Sequence, residues 1–183
     1  MSWLARALLS AGMDVTLIVD GANVMGSRAD GWWRDRAGAM ARLHGELAAL
    51  AAHGLTGPVP GAGAAPEPGG AGGAAGPGGA AEPGSAGEAG AAGPAGETAG
   101  GRWFPHVYLV VEGRARAVLD LVGPAPRVQV VAARGEGDDE IAGLAGRLTG
   151  RRVVVTADRE LRRRCEAAGA AIAGPGWLIR QFS

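Results

Sequence analysis

Four short apolar runs alternate along the chain with segments whose apolar residues recur at helical spacing. The runs cover residues 15–19, 107–111, 128–132 and 153–156, and valine dominates them. The helical patterns predict helices over about 35–52, 114–121, 138–148 and 159–168, and a last short strand over 170–173. Unbroken β-branched runs between helices are typical of parallel strands that are buried on both faces. The pattern therefore predicts an α/β fold with a doubly wound, mainly parallel sheet of four or five strands.

The segment between the first predicted helix and the second predicted strand has a different composition. Residues 54–101 consist almost wholly of Gly, Ala, Pro, Glu and Ser, without the strict Gly-X-Y period of collagen. Such a tract cannot bury enough apolar surface to offset the entropy of ordering it. We therefore expect a single domain formed by residues 14–53 plus 102–183, a disordered insertion over 54–101, and an N-terminal extension over 1–13.

Charge and cysteine content narrow the class of protein only slightly. Lys+Arg and Asp+Glu balance at 18 each, and every cation is an arginine, so no net charge draws the chain to nucleic acid or to a membrane. The single cysteine, Cys165, excludes an intramolecular disulfide and suits a reducing compartment. No apolar run reaches the roughly 18 residues that span a bilayer. These features predict a cytoplasmic protein without membrane contact, and they indicate no oligomeric state.

Acidic residues follow all four apolar runs, at the point where each run ends: Asp20; Glu112; the group Glu136, Asp138 and Asp139; and Asp158. Because the carboxyl ends of parallel strands share one edge of the sheet, we expect these side chains to meet in one cleft. Clustered carboxylates repel one another unless a cation lies among them, and hard oxygen ligands favour Mg²⁺ or Mn²⁺. Such a site is suited to phosphodiester hydrolysis.

Each acid also has a purely structural interpretation. Asp138 and Asp158 stand where helix N-caps belong, and caps are much commoner than metal ligands. Asp20-Gly21 suits an ordinary turn at the end of a strand, and Glu112 suits a solvated surface position. The occurrence of an acid at four separate strand ends favours the shared site.

Four motifs resemble, in order, those of a known superfamily. LIVDGANVMG is similar to the opening strand of NYN and other PIN-like domains, and VVEGRA to the second acidic motif of the related 5′-nucleases. GEGDDEIAGLA is similar to the E-A-D-D helix start of that group, and VVVTADREL to its T-A-D-x-D segment. Together they cover nearly the whole predicted domain. The chain thus resembles the NYN-domain, YacP-like proteins of the PIN-like superfamily.

The resemblance implies a Rossmann-type three-layer fold and a metal-dependent ribonuclease. The implied metal ligands are Asp20, Glu112, Glu136, Asp138, Asp139 and Asp158, and the implied catalytic set is Asp20, Asn23, Asp138 and Asp158. In this interpretation Asn23 positions the first acid or a substrate phosphate. Gly137 replaces the usual alanine of the third motif, and Glu160 stands where the 5′-nucleases have a second Asp. The chain has no room for the helical arch and DNA-binding helices of those enzymes, which favours the small RNA-cleaving branch over a structure-specific DNA nuclease. The expected partner is single-stranded RNA.

Arginines and tryptophans beyond the first acidic motif suggest contacts with that RNA. Arg28, Arg34 and Arg36 flank the pair Trp32-Trp33, and Arg114 follows Glu112 closely. We interpret Arg28, Arg34 and Arg114 as phosphate contacts and Trp33 as a platform on which a base stacks. The alternative interpretation has the tryptophans anchoring the loop against the first helix.

Two other functions fit the same residues. A phosphohydrolase acting on nucleotides would use similar ligands, and a non-catalytic RNA-binding module would use the same arginines. A haloacid-dehalogenase phosphatase needs a second Asp two residues after the first, where this chain has Ala22. A dinucleotide-binding domain needs G-x-G-x-x-G after the first strand, and that motif is absent.

Overall fold

The computed structural model of this chain describes residues 15–61 and 101–182, which form two sheets. Five parallel strands make the main sheet: β1 (Val15–Asp20), β4 (His106–Val111), β5 (Val128–Ala132), β6 (Arg151–Val155) and β7 (Ala171–Ala173). Their order is β5-β4-β1-β6-β7. A separate antiparallel pair consists of β2 (Leu55–Thr56) and β3 (Arg102–Trp103). The predicted doubly wound parallel sheet is confirmed.

Helices follow the strands of the main sheet in alternation. They are α1 (Gly21–Gly26), α2 (Arg36–His53), α3 (Gly137–Arg147), α4 (Arg159–Ala167) and α5 (Pro175–Ile179), with 3-10 helices at Gly113–Asp120 and Arg180–Phe182. The predicted helices over 35–52, 138–148 and 159–168 agree with α2, α3 and α4 to within two residues. The segment predicted as a helix over 114–121 is the tighter 3-10 form. Two short helices, α1 and α5, were not predicted because neither has room for a helical apolar repeat.

The sheet separates two layers of buried side chains. On one face, Leu17 and Val19 of β1 pack with Met40, Leu43 and Leu47 and other residues of α1, α2 and α5. On the other face, Ile18 packs with residues of α3 and α4. Successive residues of β1 therefore point to opposite layers, as the period of a strand requires. The result is three layers, helix–sheet–helix, and none of the helices in the described residues is long and apolar enough to cross a membrane.

The layer between the sheet and helices α3 and α4 consists of valines, other aliphatic residues and the single cysteine. Val110 and Val154, from the strands on either side of β1, join Ile18 in contact with Ile141 of α3 and Leu161 of α4. Cys165 is fully buried in the same layer, and burial raises the pKa of its thiol to about 11. The thiol is therefore uncharged at neutral pH and acts as a small apolar side chain.

The predicted boundary of the insertion at residue 54 is too early. Leu55 and Val59 are buried, and the indole nitrogen of Trp103 donates to the carbonyl oxygen of Gly57 at 3.2 Å. Leu55 pairs with Trp103 across the β2–β3 ladder. These few apolar residues are enough to fold residues 55–61 onto the domain. The remainder of the predicted insertion, 62–100, and the predicted extension over 1–13 lie outside the described residues.

Shortening the insertion between its two paired strands is expected to preserve the fold. Replacing residues 62–100 by a Gly/Ser linker of about 12 residues should leave stability unchanged or raise it by about 1 kcal/mol, because loop-closure entropy grows slowly with length. Urea unfolding of both proteins measures the difference. As a control, Val59→Ala removes two buried methyl groups and should cost about 1–2 kcal/mol in either background. A shortened protein that unfolds as easily as the Val59→Ala variant would show that the excised residues stabilise the domain.

Candidate functional site

The strand order brings the acidic motifs to one edge of the main sheet. From the central β1 the chain passes to β4 and β5 on one side and then returns to β6 and β7 on the other. Ligands of such sheets bind at the carboxyl ends of the strands, next to the strand where the order reverses. Asp20 ends β1 at this point. It continues the alternation set by Ile18, so its side chain lies on the side of the sheet that α3 and α4 cover.

The Asp20 carboxylate is buried and accepts three hydrogen bonds. Its Oδ1 accepts from the backbone N–H of Asn23 at 3.0 Å, and its Oδ2 accepts from the Asn23 side-chain amide at 2.6 Å. The Thr156 hydroxyl donates to Oδ2 at 2.9 Å. Asp20 is thus the N-cap of α1 as well as a wall of the cleft. Only one of the roughly four acceptor positions of the carboxylate is left for another ligand.

The same network ties the end of β6 to the end of β1. The fully buried Thr156 accepts from the backbone N–H of Asp158 at 3.1 Å while it donates to Asp20. The side-chain oxygen of Asn23 accepts from the backbone N–H of Ala157 at 3.3 Å. Sequence reasoning selected Asn23 but missed Thr156. The sequence feature that could have identified Thr156 is its position as the single polar residue at the end of the apolar run 153–156.

A glycine after Asp20 is required by the close approach of α1 to β4. A Cβ atom at Gly21 would lie 2.7 Å from the backbone oxygen of Val110 and 2.7 Å from the end of the Met40 side chain. The methionine can move, but the strand backbone cannot. Gly21 therefore lets the chain turn into α1 directly behind the buried carboxylate.

Glu112 is held against the start of α3. The backbone N–H of Gly137 donates to Glu112 Oε2 at 2.7 Å, and a Cβ atom at residue 137 would lie 2.9 Å from the same oxygen. The glycine that replaces the usual alanine therefore has a structural consequence, since it allows this close contact. Helix α3 presents its positive N-terminal end here, which favours nearby negative charge.

The Asp138 carboxylate, in the first turn of α3, stands among the other acids. Burial raises the pKa of this carboxyl above its ordinary value, and three neighbouring charges raise it further, in the order Asp20, Asp158 and Glu112. Arg164 opposes the shift only weakly. Within the described residues no hydrogen bond to the Asp138 carboxylate offsets this repulsion. Of the converging acids, it is the one whose charge is left uncompensated.

A small cavity of about 70 Å³ lies between these groups. Its lining includes Asp20, Asn23, Glu112 and Asp138, with Val110 and Ile141 as the apolar floor. A liquid water occupies about 30 Å³, so the space suits a hydrated ion or two waters. Asp158 does not line this cavity, but its charge acts on Asp138.

The donor chemistry of the cavity fits Mg²⁺ or Mn²⁺, although the side chains do not form a closed cage. Within the described residues, no group of three or more His, Cys, Asp or Glu side chains is gathered tightly enough to hold a metal ion. Mg²⁺ is typically held by one or two carboxylates, with water and substrate phosphates completing its octahedron. An all-oxygen cavity with one uncompensated carboxylate matches that open arrangement.

The remaining predicted ligands have other local roles. Asp158 caps α4 by accepting from the backbone N–H of Leu161 at 2.7 Å, which confirms the capping interpretation for this residue. Asp138 is not a cap, because Glu136 occupies the N-cap position of α3 without a side-chain bond to the helix. Asp139 is exposed and pairs with Arg164 at 2.7 Å. Glu136 lines a neighbouring cavity instead of the acidic one.

The predicted RNA contacts are distributed unevenly. Arg28 forms an ion pair with Glu46, 18 residues further along the chain, and its guanidinium carbon lies 5.2 Å from the centroid of the Phe182 ring. The guanidinium of Arg28 therefore has a structural role. Arg34 and Trp33 are exposed and line neither cavity. Arg114 does line the larger cavity, together with Trp32 and Arg36. Sequence reasoning placed both in the segment rich in arginine and tryptophan, but it chose Trp33 as the stacking ring and left Arg36 out of the predicted contacts.

The chain is thus an α/β protein with acidic side chains at the carboxyl edge of a five-stranded parallel sheet. No protein-family model matches the chain, and no curated protein matches its sequence. Among solved structures, it is similar to the crystal structure of Rae1 (YacP) from Bacillus subtilis, determined for a tryptophan-to-leucine mutant. The identity is 16% and the TM-score 0.54, over 93% of this chain and 75% of that chain. The chain therefore has the fold of the YacP-like NYN proteins.

Substituting Gly21 tests whether close packing fixes the turn behind Asp20. Gly21→Ala should lower stability by about 1–3 kcal/mol, because its Cβ would overlap a strand carbonyl. Gly26→Ala, at the other end of the same helix, has no atom within 4 Å of its Cβ and should be neutral or slightly stabilising. Thermal unfolding compares the two. Equal melting temperatures would show that α1 can shift away from β4 without cost.

Two aspartate-to-asparagine variants should differ in stability when measured without metal. Asp20→Asn replaces an acceptor oxygen by a donor nitrogen opposite Asn23 or Thr156, and should cost about 2 kcal/mol. Asp138→Asn breaks no such bond and removes one of four repelling charges, so its melting temperature should equal or exceed the parent value. Unfolding in the presence of EDTA provides the measurement. A larger loss for Asp138→Asn than for Asp20→Asn would contradict the charge assignment.

Proposed function

We propose that this protein is a metal-dependent ribonuclease that hydrolyses phosphodiester bonds of single-stranded RNA. The observation that carries the proposal is one cavity lined by the carboxylates of Asp20, Glu112 and Asp138, with the charge of Asp158 acting on Asp138 from beside it. Repulsion between neighbouring carboxylates destabilises a fold unless a bound ligand of opposite charge offsets it. The ligand that fits is a divalent cation, Mg²⁺ or Mn²⁺.

Each residue in and around the acidic cavity would have its own role in this function. Asp138 and Asp20 would hold the cation, with Glu112 next to them in the cavity wall. Asn23 and Thr156 fix the Asp20 carboxylate, and Asp158 adds negative charge from the start of α4. A cation bound there would polarise the phosphate and lower the pKa of an attacking water. Glu136 and Asp139 are not needed for this arrangement.

The substrate class rests on the sequence resemblance and the shared fold. A fold hosts many chemistries, so the activity is argued from the cavity and the fold serves only as supporting context. The open cavity can admit a phosphate to complete the coordination of the cation, as nuclease sites require. The exposed arginines and the exposed Trp33 are groups of the kind that bind single-stranded nucleic acid through phosphates and bases.

Cleavage of labelled single-stranded RNA tests the proposal. The full-length protein should cleave in Mg²⁺ or Mn²⁺ and not in EDTA. Asp138→Asn should lower the rate about a hundredfold or more, since the stabilisation that a metal supplies is several kcal/mol and each 1.36 kcal/mol is tenfold. Asp120→Asn makes the same chemical change at an exposed carboxyl at the end of a 3-10 helix, and should leave the rate unchanged.

The other outcomes separate the competing functions. Release of phosphate from free nucleotides, with RNA left intact, would make the protein a phosphohydrolase that uses the same cavity. RNA binding without any metal-dependent cleavage would make it a binding module. Cleavage by Asp138→Asn at the parent rate would show that the activity belongs to another site or to another protein in the preparation.

A further inference from the structure

A larger cavity of about 330 Å³ adjoins the acidic one. The two share Ala22 and Glu112 as a common wall. The size lies within the range of small-ligand sites, and such sites combine an apolar lining with a few polar groups. Here the apolar lining comes from Met25, Met40, Ala115 and Trp32. The acidic cavity, by contrast, is only about 70 Å³ and has no room for a base.

Charged residues also line this larger cavity. Arg36, Arg114 and Glu136 are among them, together with Gly113 and Gly135. The guanidinium of Arg36 lies over the Trp32 ring at 5.4 Å, and the Trp33 ring meets Trp32 edge to face with 6.3 Å between centroids. These two contacts hold the Trp32 indole in place. A fixed aromatic wall next to two arginines suits a flat, apolar-faced ligand that carries negative charge.

We infer that this cavity, named the base pocket from here on, receives one unpaired base of the RNA, from a nucleotide adjacent to the phosphate in the acidic cavity. The inference rests on the proposed function. Proteins that read single-stranded RNA stack its unpaired bases on aromatic side chains and contact its phosphates with arginine. The shared wall of Ala22 and Glu112 places a base and its neighbouring phosphate in adjoining spaces.

The charge distribution favours a nucleotide over an apolar ligand. Arg36 and Arg114 supply positive charge for the phosphates next to the seated base. Glu136 has an exposed carboxylate that does not cap α3, so it is available to accept a hydrogen bond from the amino group of a base. A purely apolar ligand would leave all three charges without a partner at the rim.

Fluorescence of a stacked base analogue tests the pocket without requiring cleavage. The full-length Asp138→Asn protein, in Mg²⁺, is mixed with short single-stranded RNAs that carry 2-aminopurine at one position each. The emission of this base falls when it stacks on an aromatic ring. We expect strong quenching at one position of the series and little at the others.

Three further substitutions identify the surface that quenches. Trp32→Leu should abolish the position-specific quenching and weaken binding at least about fivefold, the lower end of what base–aromatic stacking contributes. Gly135→Leu should do the same by filling the pocket, and it should fold, because a Cβ atom at Gly135 meets nothing within 4 Å. Phe104→Leu removes an exposed aromatic ring that lines neither cavity, and should change nothing.

An abasic nucleotide at the quenched position links the signal to affinity. It should weaken binding to the Asp138→Asn protein at least about fivefold, and should have no further effect once Trp32→Leu is added. Uniform quenching along the RNA, or none, would overturn the inference. So would quenching that survives Trp32→Leu and Gly135→Leu but disappears with Trp33→Leu, which would place the stacking surface on the neighbouring ring.

The two proposals fail in different ways. Position-specific quenching in a protein whose parent form never cleaves RNA would keep the base pocket and reject the nuclease. Metal-dependent cleavage in a protein without position-specific quenching would keep the nuclease and reject the base pocket.

Discussion

The organisation of the carboxyl edge of the main sheet depends on the hydrogen bonds that surround the buried carboxylate of Asp20. A charge with so little exposure is stable only when donors replace the water it has lost. Here the donors come from the helix that follows β1 and from the end of β6. The same bonds therefore start α1, join two neighbouring strands and set the position of the cavity wall. A substitution that removes the charge of Asp20 therefore also disturbs the hydrogen bonds that start α1 and join β1 to the end of β6.

This dual role complicates the usual contrast between a capping residue and a ligand. Asp20 and Asp158 both cap helices and both contribute negative charge to Asp138. A helix cap fixes a carboxylate with backbone donors, and a fixed carboxylate is pre-organised for a cation. The capping role and the ligand role of these aspartates therefore both follow from the same fixed position of the carboxylate. Asp138, which caps nothing, is where the electrostatic role can be separated from the structural one.

The fold was predictable from sequence because β-branched runs and helical repeats identify the strands and the long helices of a parallel sheet. The convergence of Asp20, Glu112 and Asp138 followed from strand direction alone. The residues that line the larger cavity were not predictable as a group, since they come from α1, α2, the 3-10 helix at Gly113–Asp120 and the segments before α2 and α3, which share no period. Likewise, whether Glu136 or Asp138 faces the acids depends on the rotation of α3 about its axis. The packing of α3 against the sheet determines this rotation, so a local sequence motif does not reveal it.

The β2–β3 pair has a consequence for how this chain can vary. Strand β4 begins three residues after β3, so the pair lies at the amino ends of the strands, on the side of the sheet away from the acids. The two segments that flank residues 62–100 are held to each other there by Leu55 and Trp103. Length changes at this junction are therefore expected to leave the acidic edge of the sheet undisturbed. The junction is thus a suitable place to fuse a fluorescent protein or an affinity tag inside the chain.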